Sequence, residues 1–257
     1  ARELRGFFPR TAPDGGHSGI VLNLAHGPAG EAGATQVPAV LDLAGVPYAG
    51  PSPAGHAIAS DRLALLLHLR AAGVPTAEFR VMSRTRRPTG GLRYPVVVRP
   101  RHDAEALPLV ARDPRQLRAA VRGIQRRHRQ EVVVEERAPG RRVCVALLGN
   151  DPVECLPLVE LDAKRRLKIC PARLEEPLAE RIREIAHASF RASACRDYAR
   201  VDVRVTDEGE VRVVGVSTLG ILAAGGSFAL AGIEAGGTFS ALVCRIVEIA
   251  RQRHLAR

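Results

Sequence analysis

Two charged residues, Arg200 and Asp202, alternate with valines in the run ARVDVRV at positions 199–205. Residues two apart on a strand share one face, so these side chains are predicted to point the same way. A carboxylate can give Mg²⁺ a hard oxygen ligand, and a guanidinium can stabilise an anion. One carboxylate alone holds Mg²⁺ poorly, so an alternative interpretation of Asp202 is a polar residue on an exposed hairpin face.

Cysteine is the other residue type that could bind a metal, and its spacing argues against this role. The chain has five cysteines, and neither a CxxC nor an HxxxH spacing occurs. Zinc sites and disulfide frameworks depend on such closely spaced ligands or on paired cysteines. We therefore expect free thiols in a reducing cytoplasm. They are Cys144, Cys155, Cys170, Cys195 and Cys244.

The basic side chains are almost all arginine. The formal net charge is +11, and Lys164 and Lys168 are the only lysines among 38 basic residues. Proteins that bind nucleic acid usually cluster their charge and add aromatic rings for stacking. Here arginine is scattered along the chain and aromatic residues are 4% of the total, without tryptophan. Composition therefore favours a lineage bias and makes nucleic acid an unfavoured partner.

Length and hydropathy describe an ordinary globular chain. Its 257 residues are 46% hydrophobic and 25% charged, which is enough for one large domain or two small ones. No apolar run reaches the roughly 20 residues that span a bilayer. Residues 1–18 contain no apolar segment typical of a signal peptide. We expect a cytoplasmic protein with no membrane partner.

The elements that must position these residues follow from periodicity and from turn residues. Residues 131–149 contain two strand-like runs around Pro139 and Gly140, and we predict that they pair with each other. Residues 199–218 predict a hairpin that turns at 207–209. The order of elements indicates an α+β fold. Predicted helices lie within 37–50, at 56–72, 114–127, 174–193 and 238–254, and predicted strands at 19–27, 94–100 and 107–111.

Eight stretches resemble, in order, the D-alanine–D-alanine ligases of the ATP-grasp superfamily. The resemblance implies two α+β subdomains with a nucleotide cleft between them, preceded by a partial α/β domain. The domain limits are 1–18 for a tail or fragment, 19–73 for the partial N-terminal domain, 74–149 for the central subdomain and 150–257 for the C-terminal subdomain. The stretches are LNLAHGPAGEAGATQ, LAGVPYAGPSPAGHAIASDR, LRAAGVPT, YPVVVRP, VVVEERAPGRRVCVALLGN, CPARL, CRDYARVDVRV and VRVVGVSTLG.

The resemblance also implies a reaction and its residues. In this family a carboxylate attacks the γ-phosphorus of ATP and an amine then displaces phosphate, while Mg²⁺ and basic residues neutralise the phosphates. The matching motifs imply Arg200 as the catalytic oxyanion-binding residue and Asp202 as the metal ligand. Arg62 and Arg99 take the positions of phosphate-binding lysines, and Lys164 is a further candidate for phosphate.

Two more candidate sites come from the resemblance alone. The run Glu135, Glu136, Arg137 and Ala138 matches the hinge that contacts adenine, so all four are candidate ATP-binding residues. Arg142 stands where the family usually has a glutamate for the ribose, and an arginine cannot accept a hydroxyl proton. In the first domain, His26 and Glu31 belong to a loop that resembles the family's substrate-side loop.

Two departures from the family's pattern bear on activity. Where a Glu-x-Asn triplet should complete the metal site, the chain has Gly215, Val216 and Ser217. The glycine-rich loop that covers the phosphates is replaced by RHDAEALP at 101–108, which has no glycine. Its acidic residues, Asp103 and Glu105, would repel phosphate.

These departures favour a degenerate homologue, a pseudoenzyme that acts as a binding or regulatory module. Two alternatives stay open. One is an active ATP-dependent carboxylate–amine ligase that joins small amino acids, and the other is a basic binder of anions or nucleic acid. ATP and Mg²⁺ are expected cofactors if the chain is active, and no cofactor is expected otherwise. Candidate ligands are a nucleotide or a small amino acid, and the resemblance implies a homodimer.

Overall fold

The computed structural model describes residues 19–25, 33–83, 91–102, 107–162, 167–219 and 221–256. The first strand, β1 (Val21–Leu22), pairs in parallel with β2 (Tyr48–Ala49), and helix α1 (Gly33–Ala44) lies between them in the chain. Two short helices follow, α2 (Pro53–Ser60) and α3 (Arg62–Ala71). This α/β unit leads into two larger antiparallel sheets.

The sequence predicts one helix over 56–72, but the structure contains two. Asp61 ends α2 and begins α3, with an extended backbone at φ −90° and ψ 107°. Its side chain accepts hydrogen bonds from the backbone N–H groups of Leu63 and Ala64, as an N-cap does. The apolar spacing alone did not indicate this break, because a capping aspartate inside a helical pattern also fits a continuous helix.

A four-stranded antiparallel sheet forms the central part of the chain. Its order is β3 (Phe79–Met82), β6 (Val132–Glu136), β4 (Val96–Pro100) and β5 (Leu109–Ala111). The predicted pairing of residues 107–111 with the strand at 94–100 is confirmed by the β4–β5 register. Helix α4 (Pro114–His128) covers one face of this sheet through Leu117, Val121 and Ile124.

A second sheet of six strands forms the C-terminal part. Strands β10 (Leu167–Ile169), β9 (Val159–Asp162), β7 (Arg141–Gly149), β11 (Tyr198–Val205) and β12 (Val211–Ser217) lie side by side, and β8 (Val153–Cys155) also pairs with β7. Helix α5 (Glu176–Ala192) packs on one face, and α6 (Ser227–Glu234) and α7 (Phe239–Leu255) pack on the other. The β11–β12 hairpin was predicted at this position.

The predicted pairing of the two runs in residues 131–149 is wrong. Strand β6 belongs to the four-stranded sheet, and β7 belongs to the six-stranded sheet, where it pairs with β11 along eight residues. The chain crosses between the sheets at residues 137–140. Gly140 has a φ of 90°, and a Cβ there would lie 1.9 Å from the carbonyl oxygen of Val205. The chain enters the second sheet before residue 149, which is the predicted end of the central subdomain. The domain limits themselves stay predictions.

A buried carboxylate ties the first unit to the C-terminal sheet. Asp197 is fully buried and accepts two hydrogen bonds from Arg253 of α7, at 2.8 Å each. It also accepts from the backbone N–H of Gly50 and from the side chain of Asn150, both at 2.9 Å. Four chain segments therefore converge on one charge that has no contact with water.

Within the described residues, no single helix is long and apolar enough to cross a membrane. Helices α6 and α7 taken together meet the criteria of length and composition, but they are bent by 96° at the break between them.

Candidate functional site

A cleft of about 400 Å³ lies between the two sheets. It is lined by α2, α3, β4, β5, β7, β11 and β12, and by the crossing at residues 137–140. Among the described residues that line it, Asp202 is the only one with a carboxylate. Seven arginines share the lining, so the cleft is strongly basic. They are Arg62, Arg99, Arg101, Arg137, Arg142, Arg200 and Arg204.

Strand β11 presents alternate residues to this cleft. Arg200, Asp202 and Arg204 line it, while the valines between them, Val201 and Val203, lie in the hydrophobic core against α5. The alternation in the sequence predicted this shared face. Arg204 was missed as a site residue, although the same alternation includes it.

Both oxygens of Asp202 are already occupied by donors from the protein. Its Oδ2 accepts hydrogen bonds from Nη2 of Arg142 and from Nη2 of Arg200, each at 3.1 Å. Its Oδ1 accepts from Sγ of Cys144 at 2.8 Å. Burial and the neighbouring Asp202 raise the pKa of Cys144 to about 12, so the thiol stays protonated and acts as a donor. The sequence analysis did not identify Cys144 as part of this site.

The donor set around Asp202 does not suit Mg²⁺. The residue across the hairpin is Gly215, and the next position on the same face of β12 is Ser217, whose hydroxyl accepts from Arg200 at 3.3 Å. In the described parts of the chain, no group of three or more His, Cys, Asp or Glu side chains is placed to hold a metal ion. A divalent cation here would meet two guanidinium groups within 3.1 Å of the only carboxylate. The residues present therefore do not fit the metal that the family uses.

Glu135 is held by arginines and is not presented to a ligand. It lies on β6, only 4% of it is exposed, and Nε of Arg62 donates to it at 2.8 Å. Nη2 of Arg62 makes a second bond to the other oxygen, so the pair is bidentate. Nε of Arg99 lies 3.8 Å from the same carboxylate. The structure thus brings three predicted site residues together in one cluster on the wall of the cleft.

The positive charges in this cluster affect one another. Burial lowers the pKa of Arg99, and the nearby charge of Arg62 lowers it further, while Glu135 opposes this change. Three buried guanidinium nitrogens in the cleft have no hydrogen-bond partner in the described structure: the Nε atoms of Arg99, Arg142 and Arg200. Unpaired buried donors cost free energy, so this wall is suited to an anion that would accept their hydrogen bonds or balance their charge.

The four residues that match the adenine hinge do not all face the cleft. Arg137 and Ala138 line it. Glu136 instead accepts hydrogen bonds from Arg93, including one from its backbone N–H at 2.8 Å. Burial by itself would raise the pKa of Glu136, but the bonds from Arg93 outweigh burial and lower the pKa below its ordinary value. Glu136 therefore acts as an anchor for the segment before β4.

The segment that follows β4 is fixed to α3. Nη2 of Arg101 donates to Asp61 at 2.8 Å, and Nη1 donates to Glu131 at 2.7 Å. The carbonyl oxygen of Arg101 accepts from the backbone N–H of Arg62 at 2.8 Å. The hydrogen bonds that Arg101 donates to Asp61 raise the pKa of Arg101, so its charge is permanent. The sequence analysis missed this anchor, because nothing local indicates that residues 61, 101 and 131 meet.

Some predicted site residues cannot be placed. His26 and Glu31 lie outside the described residues, as do Lys164, Asp103 and Glu105. Their roles stay predictions.

Comparisons with known proteins show which family the chain resembles. Residues 68–248 match the family model described as D-ala D-ala ligase C-terminus. The D-alanine–D-alanine ligase of Syntrophobacter fumaroxidans is 31% identical over 266 residues, which cover 94% of this chain and 83% of that protein. An uncharacterized protein of Sinorhizobium fredii, y4sG, is 40% identical over 255 residues, which cover 92% of this chain and 76% of that protein.

Solved structures show the same fold. The D-alanine–D-alanine ligase of Bacillus anthracis complexed with ATP superimposes with a TM-score of 0.81 at 24% identity, covering 92% of this chain and 80% of that one. The D-alanine–D-alanine ligase of Coxiella burnetii gives a TM-score of 0.83 at 24% identity, and the match covers 93% of this chain and 70% of that one. The expected ATP-grasp architecture, with α+β subdomains around a cleft, is confirmed by these matches.

Proposed function

The chain belongs to the D-alanine–D-alanine ligase family, and from this premise we propose that its cleft binds a phosphorylated ligand through arginines without catalysing ligation. The observation that carries the proposal is the environment of Asp202. The matching motif implies that Asp202 is a metal ligand, yet in this structure Asp202 accepts hydrogen bonds from Arg142 and Arg200. Guanidinium groups occupy the space around the carboxylate in which a metal-dependent enzyme would need further oxygen ligands.

The charge of the cleft supports an anionic ligand. Arg101 is balanced by Asp61 and Glu131. The other arginines of the described lining lie near two further carboxylates, Asp202 and Glu135, so seven arginines face four carboxylates in all, which leaves an excess of three positive charges. Arginine forms bidentate bonds with phosphate oxygens, and in a partly buried cleft these bonds are screened less than on the surface.

The other part of the lining supports a ligand that also has an apolar portion. Val97 and Val110, which are register partners on β4 and β5, line the cleft together with Ala138. The cleft volume of about 400 Å³ is in the ordinary range for small-molecule sites. A nucleoside phosphate combines the two features, so ATP and ADP are the first probes to use.

Calorimetric titration with ATP, in EDTA and in excess Mg²⁺, tests the proposal. We expect binding in EDTA at least as tight as in Mg²⁺, because the metal would neutralise the phosphates that the arginines recognise. Arg200→Gln should weaken binding about tenfold, the equivalent of one charge-assisted hydrogen bond of ~1.5 kcal/mol. The matched control is Arg183→Gln on α5, where Arg183 bonds to Glu176 and Glu180 away from the described lining of the cleft, and binding should not change.

The alternative of an active ligase gives the opposite results. It requires Mg²⁺ for tight nucleotide binding and releases phosphate when D-alanine, ATP and Mg²⁺ are supplied together. Steady turnover that Arg200→Gln abolishes would overturn the proposal. So would a complete loss of ATP binding in EDTA with full binding in Mg²⁺.

A further inference from the structure

Helix α4 carries a row of arginines that lies outside the cleft. Arg115, Arg118, Arg122 and Arg126 are all exposed. At 100° per residue, the four Cα positions fall within about 80° of one another around the helix axis. With a rise of 1.5 Å per residue, they extend over about 16 Å. The helix therefore presents a straight line of positive charge.

These four charges are not balanced by the protein. Across the described part of the chain, none of the four side chains forms an ion pair or a hydrogen bond. Asp113 is the one acidic residue in the segment 112–129, and its carboxylate caps the helix by accepting from the backbone N–H groups of Arg115 and Gln116. Arg112, Arg127 and Arg129 are also exposed beside the row.

The other long helices differ in charge. Helix α5 has arginines too, but it interleaves them with glutamates, and Arg183 is bonded to Glu176 and Glu180. On α7, Arg251 is bonded to Glu248. The abundance of arginine in the whole chain therefore does not by itself explain a helix whose outer face has arginines without acids.

The opposite face of α4 determines which kind of partner fits. Leu117, Val121 and Ile124 are at most 9% exposed because they pack against the four-stranded sheet. A helix that binds a membrane surface inserts its apolar face into the lipid, but the apolar face of α4 is buried against the sheet. The helix also contains no Phe, Tyr or Trp on which the bases of a single strand could stack.

We propose that the row Arg115, Arg118, Arg122 and Arg126 binds the phosphate backbone of double-stranded DNA. A duplex is a regular line of negative charge, and the major groove of B-form DNA admits a helix. The major groove of A-form RNA is deep and narrow and excludes one, so DNA is the preferred duplex. Composition alone argued against nucleic acid, since arginine is scattered in the sequence; folding places four of these residues on one exposed line.

The test is the anisotropy of a labelled short DNA duplex, titrated with the full chain at several salt concentrations. Four phosphate contacts predict that log K falls with log salt at a slope of about −3.6, or about 150-fold between roughly 50 and 200 mM. After replacement of Arg118, Arg122 and Arg126 by Gln, the affinity for DNA should fall only about threefold over the same range of salt concentration. Glutamine keeps helix propensity, and circular dichroism checks that the variant is folded.

The matched control removes the same charge elsewhere. Arg173, Arg181 and Arg191 are exposed on or beside α5, and their replacement by Gln should leave the salt slope unchanged. If both triple variants lost the same amount of DNA affinity, the proposal would be overturned, because any reduction of net charge would then weaken binding equally. Absence of binding at low salt, tighter binding to duplex RNA, or binding to phosphatidylserine vesicles in place of DNA would also overturn it.

Discussion

Asp202 on β11 lies directly across the hairpin from Gly215 on β12, so the position facing the carboxylate has no side chain. The next register pair joins Val203 to Val213 and leaves Val214 as the extra residue of a bulge. Arginines provide the charged neighbours of Asp202. The site is consequently arranged to attract anions rather than divalent cations.

Gly215→Glu should create a site for divalent cations. A Cβ at this position would meet no atom within 4 Å, and the backbone does not require a positive φ, so the side chain can be accommodated. The new carboxylate would lie beside Asp202 and supply the second hard ligand. We expect measurable Mn²⁺ binding by electron paramagnetic resonance in the variant and none in the wild type.

The control for this variant is Gly225→Glu, because Gly225 is exposed, an added Cβ there would likewise meet no atom within 4 Å, and the residue lies outside the described lining of the cleft. It adds the same charge and should bind no Mn²⁺. Equal Mn²⁺ affinity in the wild type and in Gly215→Glu would contradict the argument.

Asp202→Asn should strengthen anion binding. The neutral amide no longer competes for Arg142 and Arg200, so both guanidinium groups become available to phosphate. We expect the affinity for tripolyphosphate in EDTA to rise about tenfold, or ~1.4 kcal/mol, while the free energy of unfolding falls because two cations lose their counter-ion. Titration calorimetry and urea unfolding measure the two effects. A weaker affinity would mean that Asp202 itself holds the ligand.

Arg62→Ala should destabilise the fold strongly. The change leaves Glu135 as a buried carboxylate without its bidentate partner, and only Arg99 remains near it, at 3.8 Å. Breaking a buried pair in this way costs about 3 kcal/mol, whereas Arg183→Ala at an exposed pair should cost about 0.5 kcal/mol. The double variant Arg62→Met, Glu135→Leu should regain most of the loss in urea unfolding. If the double variant is as unstable as the single one, the charge pair is not the cause.

Alkylation at pH 8 should label Cys244 first. It is exposed, whereas burial raises the pKa values of Cys144, Cys155 and Cys195 to about 12. The thiolate is the reactive form, so these three thiols, of which Cys144 is buried and Cys155 and Cys195 are half-buried, should react much more slowly than Cys244. Mass spectrometry after a short exposure to iodoacetamide identifies the labelled residue. Early labelling of Cys144 would mean that the floor of the cleft opens to solvent.

The same thiols predict how stability depends on pH. Their pKa is higher in the folded state than the ordinary value of 9.0. Below pH 9 they are protonated in both states and their contribution to stability is complete. As pH rises from 9 towards 12 the unfolded chain loses protons first, so the stability falls. The urea midpoint should therefore be lower at pH 10.5 than at pH 8, and an unchanged midpoint would contradict these shifts.

The sequence by itself determined the features that depend on neighbouring residues. The alternation in 199–205 predicted the shared face of Arg200 and Asp202, and the resemblance implied that Gly215 stands where the family has a metal ligand. The basic helix over 114–127 was also predicted, with a proline near its start as the local signal. Such patterns are local, and the periods of strands and helices make them readable.

Only the tertiary structure decided which charges meet. Arg142 and Asp202 are 60 residues apart, and Arg101 meets Asp61 and Glu131 across 40 and 30 residues. Likewise, the two strands around Pro139 and Gly140 entered different sheets, although each has a strand pattern. A pairing between distant residues depends on how sheets and helices pack, and no local period encodes that packing. For this reason the resemblance could name Asp202 as a site residue but could not show that arginines already occupy its oxygens.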